Sequence, residues 1–371
     1  MRYSRHSVCP ILFISVDFKK KSTEYSISHK SSRIKCRYIF SAKRNNNSTF
    51  YKKRLKKSAG CDTIGGTKIG DGVWKEAVRR SEKRMSKRKD GVLVPETDPM
   101  HALMPYIMKN RADNEAVLDE TLDLTAVKAY IDEKNASEPN FKYTFFHVIC
   151  AAIAKTIYLR PKMNRFYLGY RLYQRNEISL SFVVKRRFED DSDEVLAVVK
   201  IDEKSDMPPI EQIHSQVEKI VHSFRKEKKT DGATDAMGIL TKLPRPILRF
   251  TMDFLAFLDY HGHYPDVLMK VDPYYTTVFI SNLGSIKMNA NYHHLANWGT
   301  NSIFAVVGEK KPTPFFEADG GCTMRDALNL GITLDERIAD GYYFAGTIAI
   351  LKKLVENPKL LDRPLSEPLE P

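Results

Sequence analysis

Downstream of Pro95 the apolar residues repeat with two alternating periods, and few folds satisfy both. Ile178, Leu180, Phe182 and Val184 recur every second residue, and Val195 to Ile201 forms a second apolar run beyond the acidic stretch EDDSDE. That spacing predicts a strand pair joined by a charged loop. Ile210, Ile213, Val217, Ile220, Val221 and Phe224 instead recur every three to four residues, predicting a helix from Pro209 to about Lys228. Residues 142 to 158, KYTFFHVICAAIAKTIY, read as a largely buried helix closed by Arg160-Pro161. The runs TTVFIS and SIFAVV read as central strands, and a further strand is expected near Leu328 to Leu334. A last helix, YYFAGTIAILKKLVEN, stops before Pro358. The expected fold class is therefore α/β, a two-layer sandwich of a mixed sheet and packed helices.

Two details carry expectations of their own. Residues 244 to 260, PRPILRFTMDFLAFLDY, are apolar on most sides and are expected to form a core helix. His214 falls on the polar face of its helix and is expected to be exposed.

Charge divides the chain. Residues 1 to 90 hold 25 Lys+Arg against 7 Asp+Glu, a surplus of +18, and the remainder holds 34 against 39, or −5. The segment from Arg33 to Lys57, RIKCRYIFSAKRNNNSTFYKKRLKK, has no apolar period. The reading is a basic leader over 1–90, disordered or translated from a wrong start, followed by a catalytic domain over 91–365. The body is mildly acidic, which argues against nucleic acid as its partner. No run of about 18 uncharged apolar residues exists, so neither a membrane span nor a membrane partner is expected, and the location expected is the cytoplasm. Five scattered cysteines without a C-x-x-C pair argue against a disulfide framework or zinc site. The pair His261 and His263 would share one side of a strand and lacks a third ligand, so no metal is expected.

Three strings carry a resemblance. The run TLDERIADGYYFAGTIAILKKLVENPKLL matches the pattern H-x-x-x-D-G, amphipathic helix, then a Pro-x-x-Leu-Leu-like ending, with Glu336 in place of the histidine. VFISNLGSI lies 55 residues before Glu336, and LDETLDLTAVKAYIDEKN reads as an early strand-to-helix passage. Together, from about Asp98 to Leu361, they resemble the catalytic domain of the 2-oxoacid dehydrogenase acyltransferases and of chloramphenicol acetyltransferase.

The resemblance implies an acyltransferase. It takes coenzyme A or an acyl-coenzyme A as substrate, binds no permanent cofactor, and builds its site between the subunits of a homotrimer. It assigns Glu336, Asp340 and Ser281 as the catalytic set and Asn282, Gly284 and Gly341 as substrate-binding. His293 and His294 are alternative bases. The partner implied is a small-molecule acyl thioester. No lipoyl attachment module is recognisable in the leader.

Glutamate is the departure that matters. A base must take a proton from a thiol of pKa about 8.5, and glutamate near 4.3 forfeits roughly 3 kcal/mol of driving force relative to histidine near 6.5. If the turn were helical, Asp340 four residues on would raise the Glu336 pKa, and Arg337 would oppose that. The rival expectation is an inert homologue, a pseudoenzyme that binds acyl thioesters or serves as a trimeric scaffold.

Overall fold

The computed structural model describes residues 88–95, 98–185, 194–226 and 237–369, together with short backbone strands between 13 and 68. The chain divides into two units, Met1–Lys83 and Arg84–Pro371. In the first, Phe13–Asp17 pairs Glu24–Ser28, Tyr38–Phe40 pairs Leu55–Lys57, and Thr63–Ile64 pairs Thr67–Lys68, all antiparallel. The rest of the expected 1–90 leader, up to Lys87, lies outside the described residues.

The second unit is a mixed α/β structure. Its strands are β1 (Gly91–Leu93), β2 (Glu115–Asp123), β3 (Arg165–Leu168), β4 (Arg171–Arg175), β5 (Ile178–Lys185), β6 (Glu194–Ile201), β7 (Val278–Asn282), β8 (Ile303–Val307), β9 (Lys311–Phe316) and β10 (Cys322–Asp335). Its helices are α1 (Pro99–Ile107), α2 (Thr125–Asn135), α3 (Phe145–Leu159), α4 (Pro209–Lys226), α5 (Arg245–Tyr260), α6 (Asp266–Val271) and α7 (Gly341–Glu356). The main sheet runs β6-β5-β7-β8-β10-β9, with β2 on the other edge of β10. The β5–β7 and β7–β8 pairs are parallel and the others antiparallel. A small sheet, β1-β4-β3, stands apart.

Alternation along the central strands makes two cores. Val278, Ile280, Ile303, Ala305 and Val307 face the layer of α2, α3, α4 and α7. Phe279, Phe304 and Val306 face the other way and pack with Leu295. The segment containing Leu295 crosses that second face closely. A Cβ on Gly331 would stand 2.5 Å from the Asn291 carbonyl oxygen, and one on Gly308 2.5 Å from the Ala290 nitrogen. A side chain is shut out at both places, Gly331 within β10 and Gly308 just past β8.

α3 is buried almost throughout, as its sequence predicts. Even Lys155 is buried there. Its Nζ donates to the carbonyls of Leu360, Arg363 and Pro364, tying the C-terminal turn to the helix layer. Cys150 is a buried thiol whose pKa burial pushes up.

Three expectations need correction. α5 is not a core helix: Leu255 and Asp259 alone are buried in it, and Ile247, Phe250, Phe254 and Phe257 face outward. His214 is half-buried rather than exposed, its Nε2 2.8 Å from the Phe141 carbonyl and its ring stacked on Tyr143. Its ring also meets those of Phe141 and His147, so three aromatic neighbours hold it. Finally, His261 caps the end of α5 and His263 follows in the turn, so the pair shares no strand.

Candidate functional site

β10 ends at Asp335 and the chain closes a short 3-10 turn, Glu336–Ile338, before α7. The turn is fixed from beneath. Asp335 is completely buried and holds the Arg337 guanidinium in two bonds, Nε to Oδ1 and Nη2 to Oδ2, both 2.7 Å. Its Oδ1 also accepts from the Arg337 N–H, capping the turn. The Arg337 guanidinium lies 5.2 Å from the Tyr167 ring centroid.

A second buried cation comes from far away in sequence. Arg111 puts its Nε 3.8 Å from Asp335 Oδ2 and donates to the carbonyls of Ala296 and Gly299. One arginine therefore ties the end of β10 to the segment that covers the second sheet face. Burial pushes the Arg111 pKa down, and Asp335 works against that. Neither Arg111 nor the carboxylate it faces was legible as part of a site.

Glu336 itself is half-buried, and among the described residues its carboxylate takes no hydrogen bond or ion pair. Arg337 is spent on Asp335 rather than on Glu336. Asp340 is not a helical partner of Glu336, because Ala339 between them is extended at φ −161°, ψ 165°. Instead Asp340 caps α7, its carboxylate accepting from the Tyr343 N–H at 2.9 Å. That bond, with Lys162 and His101 nearby, holds the Asp340 pKa below the usual carboxylate range. The expected like-charge coupling of Glu336 and Asp340 on one helical turn is therefore absent. Gly341 opens α7 at the surface, where a Cβ would meet nothing.

The other assigned residues stand elsewhere. Ser281 sits at the exit of β7, half-buried, and among the described residues its hydroxyl has no hydrogen-bond partner. Asn282 leads into the next turn, where its carbonyl accepts from Ser285. Gly284 is required by packing, since a Cβ there would collide with the Gly308 carbonyl. His293 and His294 are exposed and stack on each other at 4.4 Å, with His293 also over the Phe304 ring at 4.2 Å. No hydrogen bond joins either of them to Glu336 among the described residues.

The histidine that does stand near this turn is His101, which sequence reading passed over. α1 packs on the Glu336–Ile338 turn, and Tyr167, whose ring lies against Arg337, reaches the His101 carbonyl with its hydroxyl at 3.4 Å. His101 Nδ1 is 2.9 Å from Asp98 Oδ2, and Asp98 is the N-cap of α1. The string DPMH carried the only signal, a cap followed three residues on by a histidine.

Strand register fixes how far apart the assigned residues are. Ser281 pairs Val306, Val306 pairs Gly331, and Glu336 lies five residues beyond Gly331. At ~3.3 Å per residue and ~4.8 Å between strands, Ser281 and Glu336 are about 20 Å apart within one chain. Each end has exposed apolar side chains nearby. Ile286 and Met288 follow Ser281, while Leu103, Tyr106 and Ile107 are exposed on α1, the helix that packs on the Glu336 turn, and Tyr342 is exposed at the start of α7. Neither an apolar cavity of ≈40 Å³ between α3, α7 and the sheet nor a polar one of ≈270 Å³ beside Arg175 includes Ser281, Glu336 or Asp340.

Residues 272–362 match the family model for the 2-oxoacid dehydrogenases acyltransferase (catalytic domain). No curated protein matches the chain. Among solved structures, a probable dihydrolipoamide acetyltransferase from Listeria monocytogenes 4b F2365 is similar at 16% identity and TM-score 0.46, over 71% of this chain and 94% of that one. A truncated catalytic core of the 2-oxoacid dehydrogenase multienzyme complex from Thermoplasma acidophilum gives 18% and 0.44, over 71% and 98%. A chloramphenicol acetyltransferase gives 8% and 0.45, over 71% and 99%. The matched stretch contains Ser281, Glu336 and Asp340, the strings on which the resemblance rests most heavily.

Proposed function

We propose that the protein is an acyltransferase that moves an acyl group between coenzyme A and an acceptor, at a site completed by two subunits of a homotrimer. The observation that supports this reading is the family-model match over residues 272–362, which contains Ser281, Glu336 and Asp340, and the shared site follows from the separation of about 20 Å between Ser281 and Glu336 in one chain. Two groups so placed cannot both reach one thioester carbonyl, but the same two can meet across a contact between copies. Each end carries exposed apolar side chains, and the two ends differ in composition. A contact of one end with the other is heterologous, and a heterologous contact that closes makes a ring.

In such a site the Glu336 carboxylate takes the proton of the attacking thiol. The thiolate adds to the thioester carbonyl, and the Ser281 hydroxyl of the neighbouring subunit donates to the oxygen that becomes negative. Collapse expels the other thiolate, which recovers the proton. Among the described residues none pairs with the Glu336 carboxylate.

The geometry offers a second base. His101, held through Nδ1 by Asp98, keeps Nε2 to accept a proton, and an imidazole is by its chemistry about two units more basic than a carboxylate. An acyl-coenzyme A transfer assay separates the two. With Glu336 as base, Glu336→Gln lowers turnover about a hundredfold or more and His101→Gln costs little, whereas the reverse result assigns His101. Absence of turnover in the unaltered protein with any acyl-coenzyme A would leave an inert thioester binder.

A further inference from the structure

α5 has two apolar faces, and only one is used. Its inner face holds Leu255 and Asp259, the latter 2.9 Å from the Arg88 guanidinium. Along another side stand Ile247, Phe250, Phe254 and Phe257, which are 52, 71, 49 and 57% exposed. Spacings of three and four residues align them on one stripe, about 15 Å long at ~1.5 Å per residue. Phe250 and Phe254 lie with their rings nearly parallel, 6.4 Å apart. Their exposed area is roughly 400–500 Å², as large as the apolar patches that mark interaction surfaces on monomers.

The exposed charges of this segment are mostly positive, with Asp253 the one exposed acid of α5. Arg249 is exposed along the N-terminal half of the stripe, and Lys242 and Arg245 are exposed just ahead of it. Arg249 has Asp253 at 3.9 Å, while Lys242 and Arg245 have no ion pair among the described residues. Asp259, the other acid of α5, is buried against Arg88. The stripe offers no hydrogen-bonding group, so it suits hydrocarbon better than a polar protein groove, and the cations beside it suit phosphate. Sixteen residues are too few to cross a bilayer, and among the described residues no helix is long and apolar enough to do so. The +18 surplus of residues 1 to 90 is a second basic signal in the same chain, and stable surface binding takes two.

We propose that α5 is an interfacial helix that lies in the surface of an anionic lipid bilayer. Its phenylalanine stripe sits at the boundary of headgroups and acyl chains, with Lys242, Arg245 and Arg249 on lipid phosphates. This reverses the sequence expectation of no membrane partner, and it stands whether or not the chain transfers acyl groups.

The test is flotation of the full chain with vesicles of phosphatidylcholine alone and with about one-third phosphatidylserine, at ~0.1 M salt. Binding to the anionic vesicles is expected. Phe250→Ser/Phe254→Ser should weaken it about tenfold or more, and each of Arg245→Gln and Arg249→Gln about fivefold. All four side chains are exposed, so an unchanged melting temperature shows that the variants are folded. Failure of the unaltered chain to float would overturn the proposal. So would flotation that the phenylalanine variant leaves unchanged, since the basic leader alone would then account for it. A concentration-dependent association that the phenylalanine variant disperses, without vesicle binding, would assign the stripe to a second copy instead.

Discussion

Replacing Asp335 by asparagine should be among the most damaging single changes in the body of this protein. The carboxylate is completely buried, bonds Arg337 twice at 2.7 Å and faces Arg111 at 3.8 Å. Asparagine keeps the volume and removes the charge, leaving two buried guanidinium groups against a neutral amide. Stranding a buried partner in this way costs about 3–5 kcal/mol. For a body of this size that corresponds to a fall in melting temperature of roughly 6–15 °C. Part of the loss belongs to the stranded cation, so Asp335→Asn/Arg337→Met should be less unstable than the single change, by more than about 1 kcal/mol. Chemical denaturation of the four proteins of the cycle, with Arg337→Met as the fourth, measures this. A stability for Asp335→Asn within about 1 kcal/mol of the unaltered protein, or strict additivity in the cycle, would refute the reasoning.

Two further outcomes follow from particular groups. The buried His147 ring accepts the Thr144 N–H through Nδ1, and burial, reinforced by nearby His214, lowers its pKa to about 4. The unfolded ring titrates near 6.5, so unfolding takes up a proton at lower pH; stability is full above about pH 6.5 and falls by ~3 kcal/mol by pH 4. His147→Phe should flatten that part of the pH profile, and an unchanged slope in denaturation at pH 7 and pH 4.5 would contradict the assignment. A chain beginning at Met85 keeps Arg88 and its bonds to Asp90 and Asp259 and is expected to melt within about 2 °C of the full chain; a larger drop would show that the leader stabilises the body.

Much of the fold could be read because its period-bearing elements each have one buried face. β5, β6, α3, α4 and α7 lie where their spacing puts them, and β10 only extends beyond the Leu328 to Leu334 core of the prediction. α5 was misread because apolar residues on three sides leave the period unable to say which side is buried. β9 went unread since Pro312 and Pro314 look like strand breakers, yet the strand pairs on one side only, with β10. The site was legible as two strings and not as a geometry. Arg111 and Asp335 are 224 positions apart, and nothing local marks either as a partner of the other. The suggested coupling of Glu336 to Asp340 assumed a helical turn, and one extended residue, Ala339, removes it.

In the function proposed above, one catalytic site takes Ser281 from one subunit and Glu336 from the next. Subunit mixing tests it directly. Ser281→Ala and Glu336→Gln proteins, each expected to retain about 1% of activity or less, are unfolded together and refolded as a mixture. In a random ring, a site is intact when a subunit with native Ser281 meets a neighbour with native Glu336, which happens in about one quarter of contacts. About that fraction of the unaltered protein's turnover should be recovered. A mixture no more active than either variant alone would contradict a shared site.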